Sequence, residues 1–260
     1  MGLDKGYSST GKGVGGMQEG APTQNRTIRR SSADRAASPR FRDFEDVPPG
    51  RALDVAESLG AAARNGDANA AFQIYAKLSR CFDSSSNEVT EQIRAAYRRV
   101  GISDEAIDEE VALQRTDCQG AGELVASRGQ WLELAAERGY AEGMIMYAAD
   151  PAAILGDVPI FEVSDERLSN YIERSLNYMD GLVEQGDANA MILLSMLYKS
   201  SDLIPSDKVL SAAYRMAAER VAPLDVPVKP THFTMDGLTS TQEAEARAIA
   251  QQIQSKCCEP

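Results

Sequence analysis

Histidine is nearly missing from this chain. His232 is the only one, and it stands in a proline-rich stretch where no serine, cysteine or carboxylate completes a recognisable triad. It reads as a surface side chain. Aromatic residues are also scarce, at 6%, whereas alanine is frequent. That balance disfavours a sheet of branched and aromatic residues and favours closely packed helices. No apolar run of about 18 residues occurs, so no membrane insertion is expected. The opening residues Met1 to Gly6 lack the apolar core of a leader peptide. On this sequence the expectation is a cytoplasmic protein, and a periplasmic one if a leader has been removed.

Charge is present but uneven. Residues 1–50 hold eight Lys/Arg and six Asp/Glu, a net of +2, while residues 51–260 hold 19 and 33, a net of −14. A body this acidic repels phosphate backbones and anionic lipids, which argues against nucleic acid as a partner. Residues 1–50 are rich in Gly, Ser and Arg and have no apolar period, so they are expected to form a disordered tail ending at Pro48-Pro49-Gly50. Its arginines, Arg26, Arg29, Arg30, Arg35, Arg40 and Arg42, are either solvated or available to an acidic surface. Gly6 to Gly13 looks like a phosphate loop but ends in Gly13 where a hydroxyl is needed, and no strand precedes it.

From Ala52 onward the apolar period is helical, giving a second region over 51–260. Val89, Ile93, Ala96, Tyr97 and Val100 make one stripe; Ala190, Leu193, Leu194, Leu197 and Tyr198 another; Leu210, Ala213, Tyr214, Ala217 and Val221 a third. The spacing predicts helices over 51–65, 68–82, 87–100, 104–118, 124–138, 141–149, 165–185, 188–199, 207–221 and 240–257. Ser85 with Glu88 and Ser240 with Glu243 have capping-box spacing, and Ser164 and Ser206 suit N-caps. Pro151 to Val163 reads as irregular or extended. Pro223, Pro227 and Pro230 make 222–238 an extended loop.

The chain also repeats itself. Gly-Asp-Ala-Asn-Ala stands at both 66–70 and 186–190, and Ala135-Ala136-Glu137-Arg138-Gly139-Tyr140-Ala141 follows the same plan. A helix stops at glycine, and the next opens on small side chains, so the two backbones approach closely. The glycines are 73 and 47 residues apart. A period of about 36 fits the first gap as two units and the second as one unit with an insertion.

On these residues the sequence resembles the Sel-one-like repeat family, relatives of tetratricopeptide repeats. Ala188, Ala190, Leu194, Leu197 and Tyr198 match the first helix of a unit; Asp207, Ala212, Tyr214, Ala217 and Ala218 match the second; Trp131, Ala135, Ala136, Gly139 and Ala141 match the junction. Ser195 replaces a customary glycine, loop glycines are missing near Ser200 and Ser201, and residues 83–120 match poorly. The resemblance implies an all-α fold, an α-solenoid of stacked antiparallel helix hairpins, and a binding scaffold of bacterial type. Stacked hairpins bury their stripes against one another and curve, leaving a concave face for a partner. Residues 240–257 would cap the stack, with Glu243, Glu245 and Gln252 outward.

Four cysteines remain. Cys81 is in register with Ile74 and Leu78, and Cys118 with Ile107 and Val111. Two readings stand. A disulfide between them would contribute about 4 kcal/mol by chain entropy, and the alternative is two buried thiols. Cys257 and Cys258 are neighbours without a histidine beside them in sequence, and read as an incidental exposed pair or a bridge to another chain. Asp104, Glu105, Asp108, Glu109 and Glu110 open a helix, where the dipole favours negative charge, and read as a solvated face or a patch for a basic partner.

No metal site and no cofactor is expected. The function expected is a non-enzymatic scaffold or adaptor that binds another protein or peptide on its concave face. Trp131, Tyr147, Tyr198 and Tyr214 are the candidate contacts, with Trp131 alternatively packed between repeats. Two rivals are a structural or regulatory part of a bacterial envelope or secretion assembly, and an enzyme using Glu109 or His232.

Overall fold

The computed structural model describes residues 47–86, 89–221, 235 and 237–258, all within the unit spanning 37–260. Among them 78% are helical and none is in a strand, so this part of the chain is all-α. The twelve α-helices are α1 (Ala52–Arg64), α2 (Ala68–Ser86), α3 (Glu91–Arg99), α4 (Asp104–Cys118), α5 (Gly122–Ala126), α6 (Arg128–Glu137), α7 (Ala141–Ala149), α8 (Pro151–Leu155), α9 (Asp165–Glu184), α10 (Ala188–Ser200), α11 (Lys208–Val221) and α12 (Ser240–Cys257). The tail read at 1–50 lies outside the described residues except for its last four. The loop read at 222–238 is also outside, apart from residues 235, 237 and 238, as are Glu88 and His232.

The repeated corners share one hydrogen-bond pattern. After α1, the Asp67 N–H donates to the Ala62 carbonyl and the Gly66 N–H to that of Ala63, each at 3.0 Å. After α6, Tyr140 and Gly139 donate likewise to Ala135 and Ala136; after α9, Asp187 and Gly186 donate to Leu182 and Val183. This closure needs a left-handed residue, and φ is +106°, +78° and +76° at Gly66, Gly139 and Gly186. In two of the corners the following aspartate starts the next helix. Asp67 Oδ1 accepts from Ala70 N–H at 3.0 Å, and Asp187 Oδ1 from the N–H groups of Asn189 and Ala190 at 2.9 and 3.2 Å. Gly-Asp is thus a stop and a start in two residues. Tyr140 cannot cap α7 in this way.

Small residues then let the helices close up. Ala63, Ala71, Ala135, Ala190, Ala213 and Ala217 are fully buried. A Cβ on Gly143 would lie 2.9 Å from Ala135 Cβ, so α6 and α7 meet almost backbone to backbone. Each helix in the order α1, α2, α6, α7, α9, α10, α11, α12 packs on the next, and α12 also returns to α9. Two apolar cores result, one around Ile74 and Leu78 and a larger one around Met179 and Leu194; Phe72 and Trp131 touch both.

Several local expectations are corrected. Residues 151–163 are not extended: Pro151 opens α8, whose Ala153 N–H donates to Asp150 Oδ1 at 3.0 Å, and Ile160–Glu162 form a 3₁₀ turn. Proline at the first helical position costs no bond that the helix would otherwise make. The helix expected over 124–138 is two, broken at Ser127, whose hydroxyl donates to the Leu124 carbonyl. The C-terminal capping box is Thr239 with Gln242, one residue earlier than Ser240 with Glu243. Asp207, not Ser206, accepts from the first turn of α11. Ser164 does precede α9 but makes no capping bond.

The largest correction is α3. Its stripe faces outward: Ile93, Tyr97 and Val100 are 40%, 43% and 74% exposed, and nothing on α3 is buried. The helix that packs on α2 after α1 is α6, and α3 and α4 form an arm beside them. The arm is held to α2 by four links. Cys81 is disulfide-bonded to Cys118, buried Lys77 pairs with Asp117, Arg80 pairs with Glu110, and Gln114 donates to the Arg80 carbonyl at 2.8 Å.

Candidate binding site

A cleft of about 410 Å³ lies where α6, α7, α8 and α9 meet. The spacing along α9 creates one wall. Tyr171, Met179 and Leu182 turn into the core, which leaves Arg167, Asn170 and Arg174, at i, i+3 and i+7, along the cleft. Ile154 and Leu155 of α8 add an apolar edge, and Glu133 and Glu166 add carboxylates.

The side chains are fixed from several directions. The Arg174 guanidinium pairs with Glu133 and, at 2.9 Å, with Glu137, donates to the Tyr178 hydroxyl at 3.2 Å, and lies over the Tyr147 ring at 5.1 Å. Arg167 donates to the Leu155 carbonyl at 3.1 Å, which ties α8 to α9. Beneath the cleft, Tyr171 donates to the Ala148 carbonyl at 3.0 Å, and its ring lies 5.5 Å from that of Tyr147. Burial pushes the Tyr147 phenol up to about 12, against the opposing pull of Arg174. α8 is also pinned by Gly129, where a Cβ would sit 1.8 Å from the Ala153 oxygen.

Chemically, the wall offers the Arg167 guanidinium and the Asn170 amide beside an apolar edge. Asn170 can give and accept a main-chain hydrogen bond, Arg167 can meet a carboxylate, and Ile154 and Leu155 can meet an apolar side chain.

The four expected contact residues do not form one site. Tyr147 lines the cleft but is only 1% exposed, because Arg174 covers it; as an open contact it is corrected to a floor residue. Tyr198 and Tyr214 stack on each other, 5.9 Å apart and 2° from parallel, across α10 and α11. Trp131 is half-buried at the seam of the two cores, with Arg64 over its ring at 5.9 Å. Arg167, Asn170 and Arg174, which line the cleft, carry no mark in the sequence, because a polar stripe on a long helix looks like any solvated face.

The remaining candidates are distributed. Asp104 and Asp108 pair with Arg94, at 3.9 and 2.6 Å, so the acidic start of α4 is tied to the basic end of α3. Among the described residues no three His, Cys, Asp or Glu side chains are placed to hold a metal ion. Nor is any single described helix long and apolar enough to cross a membrane. Cys81 and Cys118 are bonded to each other. Cys257 and Cys258 are also bonded to each other, which corrects the reading of an incidental pair or an interchain bridge. A buried set surrounds Tyr75. Its hydroxyl donates to Asp150 Oδ2 at 2.9 Å, and the Arg128 guanidinium nearby is 6% exposed and lies 3.7 Å over the Phe82 ring.

Comparison with protein-family models, curated proteins and solved structures finds no match to this chain.

Proposed function

We propose that this chain is a non-enzymatic scaffold, an α-solenoid of helix hairpins that holds an extended segment of a partner protein against α9. The observation that carries this reading is the row Arg167, Asn170 and Arg174 beside Ile154 and Leu155. It sets a carboxylate binder, Arg167, and a main-chain binder, Asn170, beside an apolar edge, with Arg174 held between Glu133 and Glu137. The repeated Gly corners and the helix-to-neighbour packing order support the solenoid, because each hairpin buries its stripe only against the next. The Cys81–Cys118 bridge favours an oxidising compartment, consistent with an envelope or secreted setting.

A second location for the partner is α3, and the observation favouring it is the uncovered row Ile93, Tyr97 and Val100. One experiment separates the two. Proteins captured from the native cell by the wild-type chain are compared with those captured by Asn170→Arg, which fills the cleft, and by Tyr97→Ser. The expected result is a partner lost with Asn170→Arg and kept with Tyr97→Ser. Loss only with Tyr97→Ser moves the site to α3, and retention by both variants removes the scaffold reading.

A further inference from the structure

The two disulfides of this chain are chemically unlike. Cys81 is 2% exposed, packed beside Ile74 and Leu78, and its bridge closes a long segment of chain between α2 and α4. Cys257 and Cys258 are adjacent, so their bridge joins no separate elements and constrains almost nothing in the unfolded chain. A bond that does so little for the fold is free to open and close. Its setting also allows access. Cys258 lies past the end of α12 and is exposed, while Cys257 is half-buried against the core.

We propose that Cys257–Cys258 is a reversible thiol–disulfide exchange site whose substrate is a dithiol reductant, and that Cys81–Cys118 is a fixed bridge. The reading is independent of the partner cleft. An incoming thiolate attacks the sulfur of Cys258, the more exposed residue of the two, and the S–S bond breaks with its electron pair passing to Cys257. The Cys257 sulfur takes a proton from solvent; the Gln254 carbonyl oxygen, 3.6 Å away, is placed to accept the new thiol's hydrogen. The second thiol of the reductant then displaces Cys258 from the mixed disulfide. The protein gains two electrons and two protons, and the reductant leaves as its own disulfide. The oxidised pair also has a seat. The Cys258 sulfur rests on the corner between α9 and α10, where a Cβ on Gly186 would come within 3.0 Å of it. Opening the pair therefore frees Cys258 from that corner, while Cys257 stays packed against the core.

The test is titration of the full-length native protein with dithiothreitol, followed by iodoacetamide and peptide mass spectrometry. Cys257 and Cys258 are expected to take two alkyl groups at a dithiol concentration at least about tenfold below that needed for Cys81 and Cys118, with helical circular dichroism unchanged. A second arm starts from protein reduced at the C-terminal pair and given oxidised glutathione. Wild type should discharge the adduct by attack of Cys257, whereas Cys257→Ser should keep it on Cys258. Both disulfides opening together, a need for denaturant, or equal retention of glutathione by the two proteins would overturn the proposal.

Discussion

Glycine acts in three different ways along this chain, and substitution separates them. At Gly129 the constraint is a close approach: the missing Cβ leaves room for the Ala153 carbonyl, and an added one would sit 1.8 Å from that oxygen. The obstacle is backbone, so α8 must shift as a whole. Gly129→Ala should cost about 1–3 kcal/mol of stability in urea unfolding and should loosen the wall that Ile154 and Leu155 present. Gly181, inside α9, meets nothing within 4 Å. There alanine removes only backbone freedom from the unfolded chain, and Gly181→Ala should stabilise by about 0.5–1 kcal/mol. Equal effects of the two substitutions would contradict this account. The third way is the left-handed corner at Gly66, Gly139 and Gly186. That one is legible in sequence, because its requirement is local and its hydrogen bonds run within six residues. The requirement at Gly129 is not legible, since the atom it makes way for belongs to another helix.

At the scale of elements, periodicity located helices well and their partners poorly. The stripe Ile93, Tyr97, Val100 is as regular as those of α10 and α11, yet it stays in solvent. A pattern records that a helix has an apolar side; whether another element arrives there depends on the packing order, and α6 takes the place beside α2. α8 was hidden for a related reason: Pro151 reads as a breaker until Asp150 is seen capping the turn that it opens. The α9 wall faces Glu133 of α6 and Leu155 of α8, and nothing in the local pattern of α9 marks that juxtaposition. The arm of α3 and α4 gives a direct test. Its α3 stripe bears no packing load, so Ile93→Ser should change stability by less than about 0.5 kcal/mol. Replacing Cys81 and Cys118 together by serine should cost about 2–4 kcal/mol, with faster amide exchange concentrated in residues 91–118. A uniform rise in exchange through α9 to α12 would mean that the arm unfolds together with the rest of the described body.

Across the described body, buried phenols run through the larger core and tie its helices together. Tyr75 of α2 reaches Asp150 beside α8, Tyr171 of α9 reaches Ala148 of α7, and Tyr147 lies between α9 and the cleft. Burial raises all three phenols, and the Asp150 carboxylate raises Tyr75 further. In the unfolded chain such a phenol ionises near 10.0, whereas Tyr147 in the folded protein is held at about 12. Below pH 10 both states keep the proton and the full stability is present. Between the two values the unfolded state binds fewer protons than the folded one, so stability falls as pH rises. Urea unfolding at pH 11 should therefore show a stability lower than at pH 9 by more than about 1 kcal/mol, with phenolate absorbance of the buried rings appearing only as the helices melt. Tyr171→Phe, which keeps the ring and removes the titrating group, should lessen that loss at pH 11. A stability independent of pH over this range would mean that the phenols ionise freely in the folded state and that the core around them admits water.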